Sequence, residues 1–401
     1  MAPAQKGKRQ RDDSDLSELD IICEINAKTP RSLSAQNTRT QFEALATAIW
    51  KGEENGNDEA FQSSLKEAAA FLLACTINTT TATTSMSPTS FRIIEVEAYF
   101  LGGAGYHEDT FTHAFPEQGT AGQWYFHRVT PTGGFKGGTF KGMDITFGNG
   151  AVGGKHFGGF LIRSILPVGA TSPVIVEGPS LVVDKLLSSS SCPTVSEFVS
   201  TRKVTCVSTS PMTLTFQPDK WSTSDKICAS PRVGLVPRKP TDLFYAARPY
   251  RFHVINPSSV PSIAKVRGGI VSALLAKGVP VEKLPLLTGG QKQLVLKLES
   301  LMTPLLSEPL RKELKLTIEA AISAQRKFEL EQTTSSNNTH LSKGAAAAFA
   351  EKLTAHVFKE LEGQMHLKIL KDVLGGDVKD STVIAKLVTI AALQNQYPRT
   401  P

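Results

Sequence analysis

Cysteine is scarce in this 401-residue chain, and the five present (Cys23, Cys75, Cys192, Cys206 and Cys228) are odd in number, widely spaced and never arranged as C-x-x-C. That pattern speaks against a disulfide framework and a cysteine zinc site, and it fits a reducing compartment. The eight histidines show neither H-x-x-x-H nor H-E-x-x-H spacing, so no bound metal is indicated and no cofactor is called for. No apolar run reaches the roughly 18 to 20 residues that a membrane span needs. The opening Met1–Arg11 stretch is polar and lacks the apolar region of a secretory signal. There is no G-x-x-x-x-G-K-[ST] and no G-x-S-x-G, which argues against P-loop and common hydrolase sites. Gly148–Gly153 does match G-x-G-x-x-G behind a candidate strand. Gly154, Gly158 and Gly159 follow it where a helix should, so it reads as a glycine-rich turn.

What is present suits a soluble globular protein of two or three domains with a disordered minority: 40% hydrophobic and 20% charged residues. The net charge of +7 favours polyanions such as nucleic acid. Residues 1–40 carry a basic cluster (Lys6, Lys8, Arg9, Arg11), an acidic run and Ser/Thr/Gln-rich sequence, and read as a disordered tail. The basic cluster reads either as a nuclear address or as a solvated tail, leaving nucleus and cytoplasm as alternatives. Helical periodicity covers Thr40–Trp50 and Asp58–Cys75, the latter with Asn57 or Asp58 as N-cap and Phe61, Leu65, Ala69 and Leu72 along one stripe.

From residue 91 to about 255 helical spacing gives way to short strand-like runs punctuated by Gly, Pro and Ser. These are Phe91–Phe100, Gln123–Val129, Gly138–Phe147, Gly159–Leu166, Met212–Gln217 and Arg251–Ile255, which together predict an antiparallel or mixed sheet. The loop Gly102–Gly122, with His107, Asp109 and His113, has the length at which loops carry function. After Pro261 helices are expected again, interrupted by a polar linker at 331–342. The organisation is therefore a tail (1–40), a central α+β domain (41–258), a helical region (259–330), the linker, and a helical C-terminal region (343–401).

The informative strand is Phe91–Tyr99. Its alternation puts Ile94, Val96 and Ala98 on one face and Glu95, Glu97 and Tyr99 on the other. Carboxylates on an apolar-backed strand are either paired by cations or used for chemistry. Arg163, the one charge in Gly158–Ile165, suits a carboxylate or a phosphate. Gly178-Pro179-Ser180 precedes an apolar run, with Pro in a first helical turn. Arg232-Val-Gly234 and Arg248-Pro-Tyr-Arg-Phe252 interleave basic and aromatic residues, which suits backbone contact and base stacking as well as a half-exposed strand.

Over roughly residues 65 to 255 the chain resembles the alkyladenine (3-methyladenine) DNA glycosylase family. Arg92-Ile-Ile-Glu-Val-Glu-Ala-Tyr99 is similar to that family's R-I-V-E-T-E-A-Y, Asp109-Thr-Phe-Thr-His113 to D-E-A-A-H, and Leu161-Ile-Arg-Ser164 to L-L-R-A. Gly178-Pro-Ser180, Arg232-Val-Gly234 and Arg248–Phe252 resemble G-P-S, R-V-G and K-P-L-R-F in the same order. The resemblance implies an α+β fold of that type, a monofunctional enzyme without metal or cofactor, and Glu97 as general base. It implies Tyr99 and His113 in the base pocket, joined by Phe140 and Met143 from the adjoining strand. It implies duplex DNA with a damaged base as partner, with Lys141, Arg163, Arg232 and Arg248 on the DNA. One departure stands out: against Phe140-Lys141-Gly142-Met143, the family's pocket Tyr falls on Gly138 and its wedge Tyr on Lys141. Two other readings are a nucleic-acid-binding module on the same fold without excision, and a protein-interaction scaffold working through the C-terminal helices.

Overall fold

The computed structural model describes residues 33–255, apart from 82–87, 103–106, 151–155, 172, 210, 219–225, 233, 236–241, 243–244 and 246–247. Of the tail expected over residues 1–40, residues 1–32 lie outside the described residues and 35–40 are helical; the linker at 331–342 and the helices after Pro261 also lie outside. What is described is an α+β unit. Helix α1 (Ala35–Glu54) starts five residues earlier than its apolar spacing predicts, with the Ser34 hydroxyl accepting from the Asn37 amide. Helix α2 (Asp58–Leu73) is capped by Asn57, whose side chain accepts from Ala60, and Asp58 and Glu59 lie in its positive first turn. The stripe Phe61, Leu65, Ala69 and Leu72 is buried as expected. Cys75, placed on the helix by its periodicity, instead opens a strand.

Nine strands among the described residues form one sheet, every pairing antiparallel. They are β1 (Cys75–Thr79), β2 (Thr89–Leu101), β3 (Trp124–Phe126), β4 (Met143–Thr146), β5 (Phe157–Pro167), β6 (Val176–Glu177), β7 (Met212–Phe216), β8 (Lys226–Ser230) and β9 (Arg251–Ile255). Their order is β3-β4-β5-β2-β1-β7, with β6 alongside β5, and β9 alongside β2 carrying β8. Helices α3 (Pro179–Ser189) and α4 (Val195–Ser200) follow β6. Gly178 enters α3 at φ +102°, a left-handed conformation that glycine adopts freely, and Pro179 takes the first turn.

The expected strand Gly138–Phe147 is split. Gly138–Phe140 is a single 3-10 turn, and only Met143–Thr146 joins the sheet. Gly138 sits at φ +56° and Gly142 lies against an imidazole, so the segment turns before it can pair.

The two long strands β2 and β5 divide the sheet into two chemically distinct faces. Val96, Ala98 and Phe100 on β2, Phe160 and Ile162 on β5, Met143 and Ile145 on β4, and Trp124 and Phe126 on β3 are all buried in one apolar cluster. Helices α1 and α2 close this side: Phe42 meets Phe160 edge-on at 6.3 Å, and Phe61 lies 5.2 Å from Phe100. Residues of opposite parity point to the other face, and there the polar groups collect.

Candidate functional site

The polar face is built around β2. Glu95 and Glu97 stand opposite His253 and Arg251 of β9, while Glu97 and Tyr99 stand opposite Leu161 and Gly159 of β5. Direct partners across antiparallel strands share a face. The β2–β5 register slips on both sides of Glu95, so Ile94 and Arg163 fall opposite no residue of that pairing. Such irregularities re-aim side chains. Here the Arg163 guanidinium comes within 3.2 Å of Glu97 Oε2 and 3.4 Å of Glu95 Oε1.

Glu97 is fully buried, and its Oε2 also accepts the Tyr99 hydroxyl at 2.8 Å. Glu95 accepts from Ser164 at 2.6 Å and has Arg251 at 3.6 Å. Burial works against the charge on Arg163, but Glu97 and Glu95 outweigh it and its pKa is raised. The Tyr99 phenol is pushed well up, by burial first and by Glu97 second, so it remains a donor. Two carboxylates two residues apart on one buried face thus have the compensating cation that the sequence pattern demands.

Tyr99 is held from its other side. The Arg232 guanidinium lies 4.5 Å from the centre of its ring, and forks onto Asp109 with contacts of 2.6 and 3.0 Å. The same guanidinium donates to the carbonyls of Ala98 and Tyr245. Asp109 thereby anchors the loop that delivers His113 to the site. Its neighbour His107 is buried between the Phe100 carbonyl, to which Nδ1 donates at 2.9 Å, and the Tyr250 hydroxyl at 2.7 Å from Nε2. Tyr250 in turn accepts from Gln62 and Arg248, and Arg248 reaches Asp58 at 2.7 Å.

Across the sheet the same row continues: Glu97 pairs with Leu161, Leu161 with Asp144, and Asp144 with Tyr125. Asp144 is buried, and accepts from His127 Nε2 at 2.8 Å and from Gln118 at 3.0 Å. His113 packs its ring 4.6 Å from that of His127, with Nδ1 3.1 Å from the Tyr125 hydroxyl and Nε2 3.1 Å from Lys136 Nζ. Because the lysine can only donate, Nε2 accepts and the proton of neutral His113 resides on Nδ1. Burial, with help from His127 and Lys136, depresses the His113 pKa to about 4. The Lys136 ammonium is lowered by burial against an opposing pull from Asp144. Space for this cluster comes from two glycines. A Cβ on Gly142 would lie 2.5 Å from His127 Nδ1, and one on Gly159 would lie 2.5 Å from Asp144 Oδ2.

The structure therefore brings Glu97, Tyr99, Arg163 and Arg232 together on one polar face that continues through Asp144 to His113, and places Phe140, Lys141, Met143 and Arg248 elsewhere. Met143 points into the apolar core on the opposite face, because its partner is Phe126. Phe140 stands out from the surface, 77% exposed on the 3-10 turn. Lys141 is paired with Asp184 of α3, and Ser180 donates to the Gly138 carbonyl beside it. Arg232 and Arg248 are buried with Asp109 and Asp58, facing inward where the sequence reading put them on DNA. Arg163 likewise points between two glutamates.

Sequence reasoning passed over His127 and Asp144 as site residues. Their signal was present as an alternation on β3, with Trp124 and Phe126 inward and Tyr125 and His127 outward, and as one carboxylate between Met143 and Ile145. Among the described residues no three His, Cys, Asp or Glu side chains are grouped to hold a metal.

No protein-family model matches the chain. A curated relative is the uncharacterized protein L759 of Acanthamoeba polyphaga mimivirus, 30% identical over 179 residues that span 42% of this chain and 78% of that protein. Its name states no activity and lends none to this chain.

Proposed function

We propose that this chain, which belongs to one family with the mimivirus protein L759, hydrolyses the N-glycosidic bond of a damaged base in duplex DNA, as its resemblance to the alkyladenine DNA glycosylases implies. The observation that carries this reading is the setting of Glu97: a fully buried carboxylate, ion-paired to Arg163 and hydrogen-bonded by Tyr99, on the one polar face of the sheet. In this reading an extruded nucleotide enters that face, with Tyr99 and His113 against its base. Glu97 orients and deprotonates a water for attack on the sugar C1′ and stabilises the positive charge that builds there as the base departs. Arg163 keeps the pair of carboxylates compensated, and Arg232 fixes the plane of the Tyr99 ring. A nuclear protein acting on alkylated bases in base-excision repair is the corresponding biological setting.

The test is single-turnover release of a methylated purine from duplex DNA. Wild-type protein should leave an abasic site, and Glu97→Gln should abolish its formation. Unchanged release by Glu97→Gln would remove Glu97 from the mechanism, and no release from any damaged duplex by wild-type protein would remove the reaction.

A second reading has its own observation. Glu97 is saturated by Arg163 and Tyr99 in the way a purely structural ion pair would be, which suits a nucleic-acid-binding module on this fold. Salt-dependent binding to DNA or RNA without any abasic product would favour it.

A further inference from the structure

The sheet leaves backbone unpaired at β3. The pairing of β3 with β4 puts Tyr125 opposite Asp144, the His127 amide on the Gly142 carbonyl and the Thr146 amide on the Gln123 carbonyl. In such a ladder every second residue turns its backbone away from the partner strand. Here those residues are Trp124 and Phe126. On that outer side the Trp124 amide donates to the Thr205 carbonyl at 2.7 Å, and the Val207 amide to the Gly122 carbonyl at 3.1 Å. The pairing goes no further. Lys203 takes φ +52°, a conformation uncommon for a residue other than glycine. Among the described residues the amide and carbonyl of Phe126 have no backbone partner.

Beside that edge lies a cavity of about 450 Å³, a volume within the range of ligand sites. Phe126, Phe135, Val199 and Val204 give it apolar walls, and Glu117 and Arg128 are in its lining. The Arg128 guanidinium lies 4.4 Å from the centre of the Phe135 ring, donating from Nε to Glu117 Oε1 and from Nη1 to the Gly133 carbonyl, each at 3.0 Å. The second carboxylate oxygen of Glu117, Oε2, is buried and accepts no hydrogen bond among the described residues. Buried polar atoms are ordinarily satisfied. An open backbone edge, an apolar cavity and an acceptor without a donor thus meet at one place.

We propose that this gap docks an extended segment of a partner protein, which adds as a short strand beside β3. Its backbone pairs with Phe126, one aliphatic side chain enters the cavity, and a lysine two residues along places its ammonium on Glu117. Side chains two apart on a strand share a face, so one guest strand can supply both groups. An edge with unpaired backbone is the template for this mode of recognition: main-chain hydrogen bonds supply affinity, and pockets for alternate side chains supply specificity. Lysine fits because Arg128 engages one Glu117 oxygen and an ammonium supplies the donor that the other lacks. Val129, 67% exposed just beyond Arg128, continues the apolar surface.

A second copy of this chain is the competing occupant. Two copies joined edge to edge would set β3 against β3, and the Trp-Tyr-Phe of that strand brings no lysine to Glu117. A segment of different sequence satisfies the site where a copy does not. The inference stands apart from the excision reading, since neither Glu97 nor Arg163 lines the cavity.

The experiment uses the full chain and a fluorescein-labelled probe peptide, Ser-Lys-Thr-Val-Thr-Lys-Ser, read by anisotropy. Its valine has a lysine two residues away on either side, so both strand directions are served. Two control peptides carry a single N-methyl group, one on the valine and one on the threonine after it. Only one of those amides faces β3, so one control should bind on the order of 10-fold more weakly than the other. Val199→Trp, which fills the cavity, should weaken the parent peptide on the order of 10-fold. Glu117→Gln should weaken it too, but should leave unchanged a copy with norleucine for both lysines. Peptide should also slow hydrogen exchange at the Phe126 amide. Equal binding of the two methylated controls, unchanged binding by both variants, or no binding at millimolar peptide overturns the site. A peptide-free chain that sediments as a dimer, and as a monomer in Val199→Trp, assigns the edge to a second copy and overturns the partner. A Phe126 amide already protected in the peptide-free monomer means that the chain fills its own edge, and overturns it equally.

Discussion

Glu97 and Asp144 flank Leu161 on one face of the sheet, and Leu161 is the direct cross-strand partner of both. Neighbouring strands lie about 4.8 Å apart, which sets the two backbones about 10 Å from each other. An apolar side chain floors the interval between two carboxylates. Each carboxylate has its own cation or donor set, Arg163 and Tyr99 on one side and His127 and Gln118 on the other. The two carboxylates have separate partners, and substitutions can address them separately.

Arg163→Met should be among the most destabilising changes in the described unit. It leaves Glu95 and Glu97 buried two residues apart without their shared guanidinium, a loss of about 3–5 kcal/mol for a broken buried pair. Urea denaturation of the variant should show it, and Glu95→Gln in the same chain should recover part of the loss.

Stability should fall as pH drops from about 6.5, the ordinary histidine value, toward about 4, the value for His113 in the fold. The unfolded chain takes up a proton there that folded His113 refuses, so the folded state is favoured above this window and loses that advantage within it. His107 and His253 are also lowered, chiefly by burial, and act in the same direction. Denaturant midpoints measured across pH should therefore slope less steeply in His113→Gln but should not become flat.

Gly142→Ala should lower stability by about 1–3 kcal/mol without removing any titratable group. The new methyl would meet the imidazole ring at 2.5–3.0 Å, and the ring must swing away from Asp144. Urea denaturation of Gly142→Ala checks this; an unchanged midpoint would mean that the ring has room to yield.

Phe61→Ala should cost about 3–5 kcal/mol. The ring touches Phe100, His107 and Tyr250 at 4.8 to 6.3 Å, so its loss opens a cavity beside the loop anchor. Phe140→Ala is the contrasting case. At 77% exposure its removal should leave stability within about 0.5 kcal/mol. A fall in duplex affinity measured for it would report a contact with nucleic acid rather than a fold defect.

The legible part of this chain was the part governed by local periodicity. The Phe61–Leu72 stripe announced α2, and the alternation of Phe91–Tyr99 separated the two faces of β2 correctly. The sequence left Arg163 to meet either a carboxylate or a phosphate, and the structure turns it to Glu95 and Glu97. What periodicity could not carry was the assignment of cations whose partners are distant in sequence. Arg232 finds Asp109, and Arg248 finds Asp58, across 123 and 190 residues. A basic-aromatic string looks the same whether its guanidiniums face outward or are swallowed by the fold. Glycines misled in the other direction. Gly138 and Gly142 sit in a stretch that alternates well enough for a strand, yet they turn the chain and make room for His127. Shape complementarity of that kind is set by the neighbour, which the local sequence does not name.

The link from Asp58 through Arg248 to Tyr250 and His107 has a consequence for the order of events in synthesis. Helix α2 and strand β2 leave the ribosome early, but the polar groups that fasten them together arrive with residues 248–253. Until then the Asp58 carboxylate lacks the Arg248 guanidinium, His107 Nε2 lacks the Tyr250 hydroxyl, and the β2 edge at Glu95–Glu97 lacks the strand that brings Arg251. A chain halted before residue 248 lacks the core residues Tyr250, Phe252 and Val254 and exposes a charged strand edge, the kind of surface on which nascent proteins associate. Arrest-peptide force profiles should accordingly show the folding transition only after β9 has cleared the exit tunnel.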